Sequence, residues 1–248
     1  MSKHEKRNVV FITSIKGLVD TSYEEYCLNT WKYWCKKNDV ELFVLNEELT
    51  DAKYMKPTWQ RWYVLDILEM NGVNYNQVAM VDVDTMVRWD APNFFELTDN
   101  KFSAVVDQDN IGWVKQSIDG YQHFFKDVEL DWEDYFNCGF VVLNSKHKDL
   151  CKTILNFWEE NDGELVMLQS TLSKGTDQTP VNYMVKRDTE VNYLSKKFNL
   201  THFNRKEIIN NLMFIDCGYV WHFNGFEKSW RYDLMKQTWE KIKDNYAD

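Results

Sequence analysis

Val78-Ala79-Met80-Val81-Asp82-Val83-Asp84-Thr85 is an apolar run that ends in two acids one residue apart. A short, continuous apolar run bounded by polar residues is the pattern of a strand buried on both faces, as in a parallel sheet covered by helices. Side chains at i and i+2 of an extended chain point the same way, so Asp82 and Asp84 converge on one face at the strand's carboxyl end. Open α/β sheets place their ligand crevice there. Two close carboxylates repel and are costly to hold together without a cation between them. Oxygen ligands suit magnesium, manganese or calcium.

Outward from this run, strands and helices alternate. Residues 8–13 form another apolar run and are expected as a central parallel strand. Ser22 and Glu25 have capping-box spacing, and Tyr23, Tyr26, Cys27, Thr30, Trp31 and Trp34 recur at threes and fours, which predicts a helix ending near Asn38. Residues 40–45 read as a strand. Pro57 and Thr58 open a helix whose stripe includes Trp62, Leu65 and Leu68 and which stops at Gly72. Strands at 102–106, 139–143, 191–194 and 217–222 and helices at 149–160, 177–186 and 229–246 complete the pattern. The alternation predicts an α/β fold, a mixed but mostly parallel Rossmann-like sheet with helices on both faces. One domain over residues 1–248 is expected, with 110–135 as an inserted, loop-rich region on the active face and 229–248 as the carboxyl-terminal helix.

The chain has 248 residues, 29 basic and 39 acidic, for a formal charge of −10. A net acidic surface repels a phosphate backbone, so no nucleic-acid partner is expected. Only 9 Gly and 3 Pro leave few turns, so helices carry much of the chain. The five Cys form no CxxC pair and no zinc spacing and read as reduced thiols. The apolar run at 9–12 is too short for a signal core or a membrane span, so no transmembrane segment and a cytoplasmic location are expected. Asn199-Leu200-Thr201 matches a glycosylation acceptor and is expected to be a chance match. Aromatic residues make up 16% of the chain. Aromatic faces pack on sugar C–H faces, but core packing is the favoured expectation because aromatics bury so much area.

A second stretch bears on the acidic pair: His222-Phe223-Asn224-Gly225-Phe226-Glu227-Lys228-Ser229-Trp230. Gly225 allows a backbone to approach a ligand closely, and Lys228 is a compact cation suited to phosphate. The chain has no GxxxxGK[ST] loop and no GxGxxG turn. A bound diphosphate would therefore be held by a metal ion and Lys228 instead of a glycine-rich cradle.

Together, Met80-Val81-Asp82-Val83-Asp84-Thr85 and His222-x-x-Gly225-x-x-Lys228-x-Trp230 resemble glycosyltransferases of the GT-A fold, in the family-8-like group that includes glycogenin and bacterial lipopolysaccharide galactosyltransferases. Three further segments fall in the family's order: Gln60-Arg61-Trp62-Tyr63, Tyr135-Phe136-Asn137-Cys138-Gly139, and Asp177-Gln178 with Asn182. The resemblance runs in register from about residue 8 to residue 230. It implies a single GT-A domain that moves a hexose from a nucleotide-diphosphate sugar, usually a UDP-sugar, to a glycan, glycolipid or other hydroxyl acceptor. It also implies that Asp82, Asp84 and His222 bind a divalent ion, usually manganese, with magnesium the alternative. Asp82 and Val83 would lie by the nucleotide, Gly225 and Lys228 by the diphosphate, and Thr13 and Ser14 by the base. Arg61 matches a donor contact, and Asp107, Asn137, Gly139, Asp177 and Gln178 match donor-sugar ligands. Ser14 stands where relatives often carry Asp, and Ser229 where they carry Pro.

Glycosyl transfer builds negative charge on the departing diphosphate, which a divalent ion and Lys228 would stabilise. The acceptor proton goes to a carboxylate base, with inversion, or to the departing phosphate, with retention. Asp177 is the candidate base for the first route; the resemblance implies the second, with Asp177 and Gln178 holding the sugar. Trp113, Tyr121, His123, Phe124, Trp132 and Tyr135 crowd 110–135 as an acceptor platform, a lid, or a local aromatic cluster. Two other readings compete. A phosphatase of the haloacid dehalogenase type also opens on Asp-x-Asp after a strand, and a non-catalytic sugar-binding protein would need only the aromatics.

Overall fold

The apolar run is strand β3 (Tyr75–Asp82) in a computed structural model that describes residues 6–15, 22–107, 110–172, 177–201 and 206–247. Residues 1–5 of the polar amino terminus and residue 248 of the expected last helix lie outside the described residues. The other strands are β1 (Arg7–Thr13), β2 (Glu41–Leu45), β4 (Thr85–Val87), β5 (Phe102–Val106), β6 (Phe136–Asn144), β7 (Val191–Tyr193) and β8 (Val220–His222). The helices are α1 (Glu24–Lys37), α2 (Pro57–Gln60), α3 (Val64–Met70), α4 (Ile111–Tyr121), α5 (Lys148–Leu172), α6 (Gln178–Asp188), α7 (Lys206–Ile209) and α8 (Lys228–Ile242).

Six strands form one sheet in the order β2-β1-β3-β6-β5-β7, and β4 pairs with β8 in a separate ribbon. β1 runs parallel to β2 and β3, β5 runs parallel to β7, and β6 is antiparallel to both of its neighbours. The mostly parallel α/β sheet is therefore as expected. Register brings the site together. Thr13 pairs with Asp82, Val81 with Phe140, and Val106 with Phe136. The carboxyl ends of β1, β3 and β5 and the amino end of β6 thus share one edge.

Both faces of the sheet are dry, which explains the unbroken apolar runs. Along β1, Val9 and Phe11 face one core while Val10 and Ile12 face the other. α5 covers the first face, where Trp158 packs on Trp59 at 5.0 Å; α1 covers the second, where Trp34 stacks on Phe94 at 4.7 Å. Trp31, Trp34, Trp59, Trp62, Trp158 and Trp221 are all fully buried, so most of the aromatic excess is core. Each such ring removes roughly 150–250 Å² from water.

Several local expectations are revised. The N-cap of α1 is Tyr23, not Ser22, and its side chain does not cap the helix. α5 runs on to Leu172 because an apolar stripe continues past 160, with Leu165 buried in the first core. Segment 110–135 is less loop-like than expected, since Asn110 caps α4 by accepting from the Trp113 amide at 2.9 Å. Tyr121 and Tyr135 from that segment are fully buried, so they belong to the aromatic core and not to a platform or lid. In α8, Leu234 and Ile242 are buried, whereas Trp230 is 49% exposed. The five cysteines are free thiols. Among the described residues no helix is long and apolar enough to cross a membrane.

Candidate active site

The chain leaves β3 at Asp82 and turns at once into β4. Thr85 holds that turn: its hydroxyl donates to the Asp82 carbonyl at 2.7 Å and accepts from Trp31 Nε1 at 3.0 Å. The ribbon then delivers the histidine, because Thr85 pairs with His222 and the Phe223 amide donates to the Asp84 carbonyl at 2.8 Å. His222 Nε2 lies 3.2 Å from Asp84 Oδ1 and 3.6 Å from Asp82 Oδ2. One ligand atom from each of the three residues fits within 4.8 Å of the others.

The floor of this cluster is Gly139. A Cβ there would lie 2.2 Å from His222 Cε1 and 2.8 Å from Asp82 Oδ2, so only glycine lets the imidazole and the carboxylate approach β6. Behind the ring stands Asn199, a residue that carried no functional expectation. It is buried, which is consistent with a chance glycosylation match. Its amide donates to Asn137 Oδ1 at 3.1 Å, and Asn137 Oδ1 also accepts from the Gly139 amide at 2.9 Å. That turns Asn199 Oδ1 toward His222 Nδ1, 3.0 Å away. With Nδ1 donating there, Nε2 is the free lone pair, the tautomer a metal ligand needs.

His222 is 2% exposed, and its Nε2 makes no hydrogen bond. A buried, unpartnered imidazole nitrogen facing two carboxylates fits a divalent ion. Burial opposes charge on His222, yet Asp84 and Asp82 hold its pKa above the ordinary value. Burial likewise pushes the Asp84 carboxyl up, but His222 and Arg231 hold it below the usual range.

Thr13, Arg61, Asp82, Val83 and Asp84, all expected site residues, line one cavity of about 180 Å³, and Tyr23 and Arg231 share its wall. Arg61 joins its two sides. It donates to Asp82 Oδ1 at 2.7 Å and to Asp177 Oδ2 through Nε at 3.1 Å and a terminal nitrogen at 2.7 Å. Trp62 Nε1 adds a third donor to Asp177 Oδ2 at 2.8 Å. Asp177 occupies the N-cap position of α6, but its side chain makes no capping bond. Arg61 and Asp177 are both buried, so removing Arg61 would strand the Asp177 carboxylate at a cost of about 3–5 kcal/mol.

Next to this lies a neutral-donor network. Asp107 Oδ2 accepts from Asn137 Nδ2 at 3.2 Å and from Gln178 Nε2 at 3.0 Å. Gln178 Oε1 accepts from the Cys138 amide at 3.1 Å, and Asn182 clamps the Phe136 amide and carbonyl at 2.7 and 2.9 Å. Three expected residues lie outside the metal-ligand cluster, the cavity and this network alike. Ser14 is buried behind the cavity, with its amide bonded to the Leu45 carbonyl at 2.8 Å. Gly225, at φ +73°, makes the left-handed turn toward α8 and is exposed, as is Lys228 at the start of that helix.

The family model for Glycosyl transferase family 8 matches residues 9–233. The chain belongs to this family. It is a glycosyltransferase, and the phosphatase and non-catalytic readings are set aside. Solved structures agree on the fold. A glycosyltransferase involved in glycosylation of the major capsid of PBCV-1 matches at TM-score 0.65 and 10% identity, over 93% of this chain and 99% of that one. The galactosyltransferase LgtC, solved with donor and acceptor sugar analogs, matches at TM-score 0.54 and 16% identity, over 96% and 95%. GlyE of Streptococcus pneumoniae TIGR4 matches at TM-score 0.52 and 13% identity, covering 97% of this chain and 63% of that one. A comparison with curated protein sequences finds no match.

Proposed function

We propose that this family 8 member transfers a hexose from a nucleotide-diphosphate sugar, a UDP-sugar by preference, to a glycan, glycolipid or other hydroxyl acceptor, with a divalent cation and with retention. The observation that carries the reading is the buried, unpartnered His222 Nε2 facing Asp82 and Asp84 across Gly139. Asp82 Oδ2, Asp84 Oδ1 and His222 Nε2 would hold the cation, and this mixed oxygen and imidazole set favours manganese over magnesium. When bound, the cation supplies a Lewis acid for the charge that develops on the leaving diphosphate.

Every other role falls to side chains. The cavity at Thr13, Val83 and Arg61 takes the nucleoside and diphosphate, with Arg61 contributing fixed positive charge. Asp107, Asn137 and Gln178 offer hydrogen bonds that orient the sugar. Asp177 positions Arg61: three N–H donors converge on its Oδ2, which favours an anchor over a proton acceptor and so supports retention. In retention the proton of the acceptor hydroxyl passes to the departing phosphate on the same face.

A thermal-shift screen of nucleotide sugars with and without manganese tests the reading. A ligand at 100 times its dissociation constant stabilises by about 2.7 kcal/mol. We expect a shift that needs nucleotide and metal together and that Asp84→Ala abolishes. No nucleotide-dependent shift under any divalent metal contradicts it.

A further inference from the structure

Arg231 had no part in the expected site, yet it grips one half of the acidic pair. Its guanidinium lies 2.9 Å from Asp84 Oδ2, just as that of Arg61 lies 2.7 Å from Asp82 Oδ1. Each carboxylate is therefore held on one oxygen by an arginine and turns the other toward His222. Arg61 is shared between Asp82 and Asp177, so Arg231 is the guanidinium that offsets Asp84 and weakens the pull of the site on a cation arriving alone.

The two arginines are not equally committed. Arg61 is locked between Asp82 and Asp177, with its side chain 7% exposed. The Arg231 side chain is 19% exposed. Apart from Asp84, among the described residues its side chain donates only to the Tyr23 hydroxyl and the Phe226 carbonyl, each at 3.2 Å, and its buried Nε makes no hydrogen bond to them. It lines the same cavity as Asp82, Asp84 and Thr13. A guanidinium with a spare donor, on the wall of a cavity beside a cation site, suits a bidentate phosphate contact. Lys228, given the diphosphate by resemblance, lies outside that cavity.

We propose that Arg231 is a resident counter-ion that makes cation binding conditional on the donor: it balances Asp84 until a divalent ion arrives with a diphosphate, whose oxygens then engage the guanidinium. The inference rests on the functional reading above and deepens it. Its thermodynamic signature is reciprocal coupling between cation and nucleotide.

The test is a Mn²⁺ titration of the full chain, followed by electron paramagnetic resonance, with and without UDP, for wild type, Arg231→Gln and Arg231→Lys. In wild type, UDP should tighten Mn²⁺ binding by about tenfold or more. Arg231→Gln should bind Mn²⁺ alone about fivefold more tightly than wild type, with the UDP enhancement reduced to match. Arg231→Lys, which keeps charge but loses the fork, should shift both quantities the same way by less, and it decides the question if the glutamine variant does not fold. Mn²⁺ affinity and UDP enhancement unchanged by substitution at 231 overturn this inference alone. Absence of UDP-dependent Mn²⁺ binding in wild type overturns the functional reading and this inference with it.

Discussion

His147 and His222 are both buried imidazoles, set at opposite ends of β6, and folding treats them differently. At the far end, Asn144 and His147 close a reciprocal cap. The Asn144 amide donates to His147 Nδ1 at 3.0 Å, Asn144 Oδ1 accepts from the Lys146 amide at 3.0 Å, and Asn144 Nδ2 donates to the Asn100 carbonyl at 2.7 Å. At the near end, Asn199 satisfies one nitrogen of His222 and leaves the other facing two carboxylates. A polar group whose partners all come from the chain is a structural device. One that makes no hydrogen bond while facing two carboxylates at 3.2 and 3.6 Å marks where a cation belongs.

The comparison breaks most sharply at Gly139. Gly139→Ala should force the imidazole and Asp82 off β6, lowering transferase activity by on the order of 100-fold, since displacement of about 1 Å at a reacting centre costs that much. Activity assays with a separate melting curve distinguish this from unfolding. Asn199→Ala should keep the fold but free the His222 ring, weakening Mn²⁺ affinity by about 10–100-fold. Metal titration by calorimetry checks it, and unchanged affinity would show that the ring needs no backing.

The opposite end should answer in stability alone. Asn144→Ala removes the cap at about 1–2 kcal/mol and lowers the melting temperature by roughly 2–4 °C per kcal/mol, with Mn²⁺ affinity unaltered. The smallest effects are those of pH. Burial holds His147 below its ordinary 6.5, so the unfolded chain takes up a proton first, and its share of stability is intact above 6.5 and lost as pH falls below it. His222 is held above 6.5, so its share in the cation-free protein is present below 6.5 and lost as pH rises through the raised value. Cation affinity should rise over that same interval as the proton leaves. Melting curves across pH for wild type and His147→Gln separate the two, since only the acid limb should flatten in the variant.

These two ends also show what can be read from a chain of residues. Asp82 and Asp84 were legible because the apolar run before them identified the strand, but β3 ends at Asp82, so the turn into β4, not strand alternation, brings Asp84 beside it. His222 and Gly139 were legible through resemblance, and register explains why they meet. Asn199, Arg231 and Thr85 were given no role in the site by the sequence. Their roles depend on long-range pairings, Leu200 bridging Trp221 and β8 pairing with β4, that no local pattern encodes. Arg231 sits next to the quoted Trp230, yet helix geometry sends the arginine into the cavity and leaves the tryptophan about half exposed. The Lys228 expectation came from motif alone, and the structure puts that side chain in solvent.

The most direct measurement is the anomalous density of crystals grown with Mn²⁺ and UDP, collected at the manganese edge. A single strong peak within bonding distance of Asp82 Oδ2, Asp84 Oδ1 and His222 Nε2 is the result predicted here. A peak elsewhere, or nucleotide bound in this cavity with no peak between those three atoms, contradicts it.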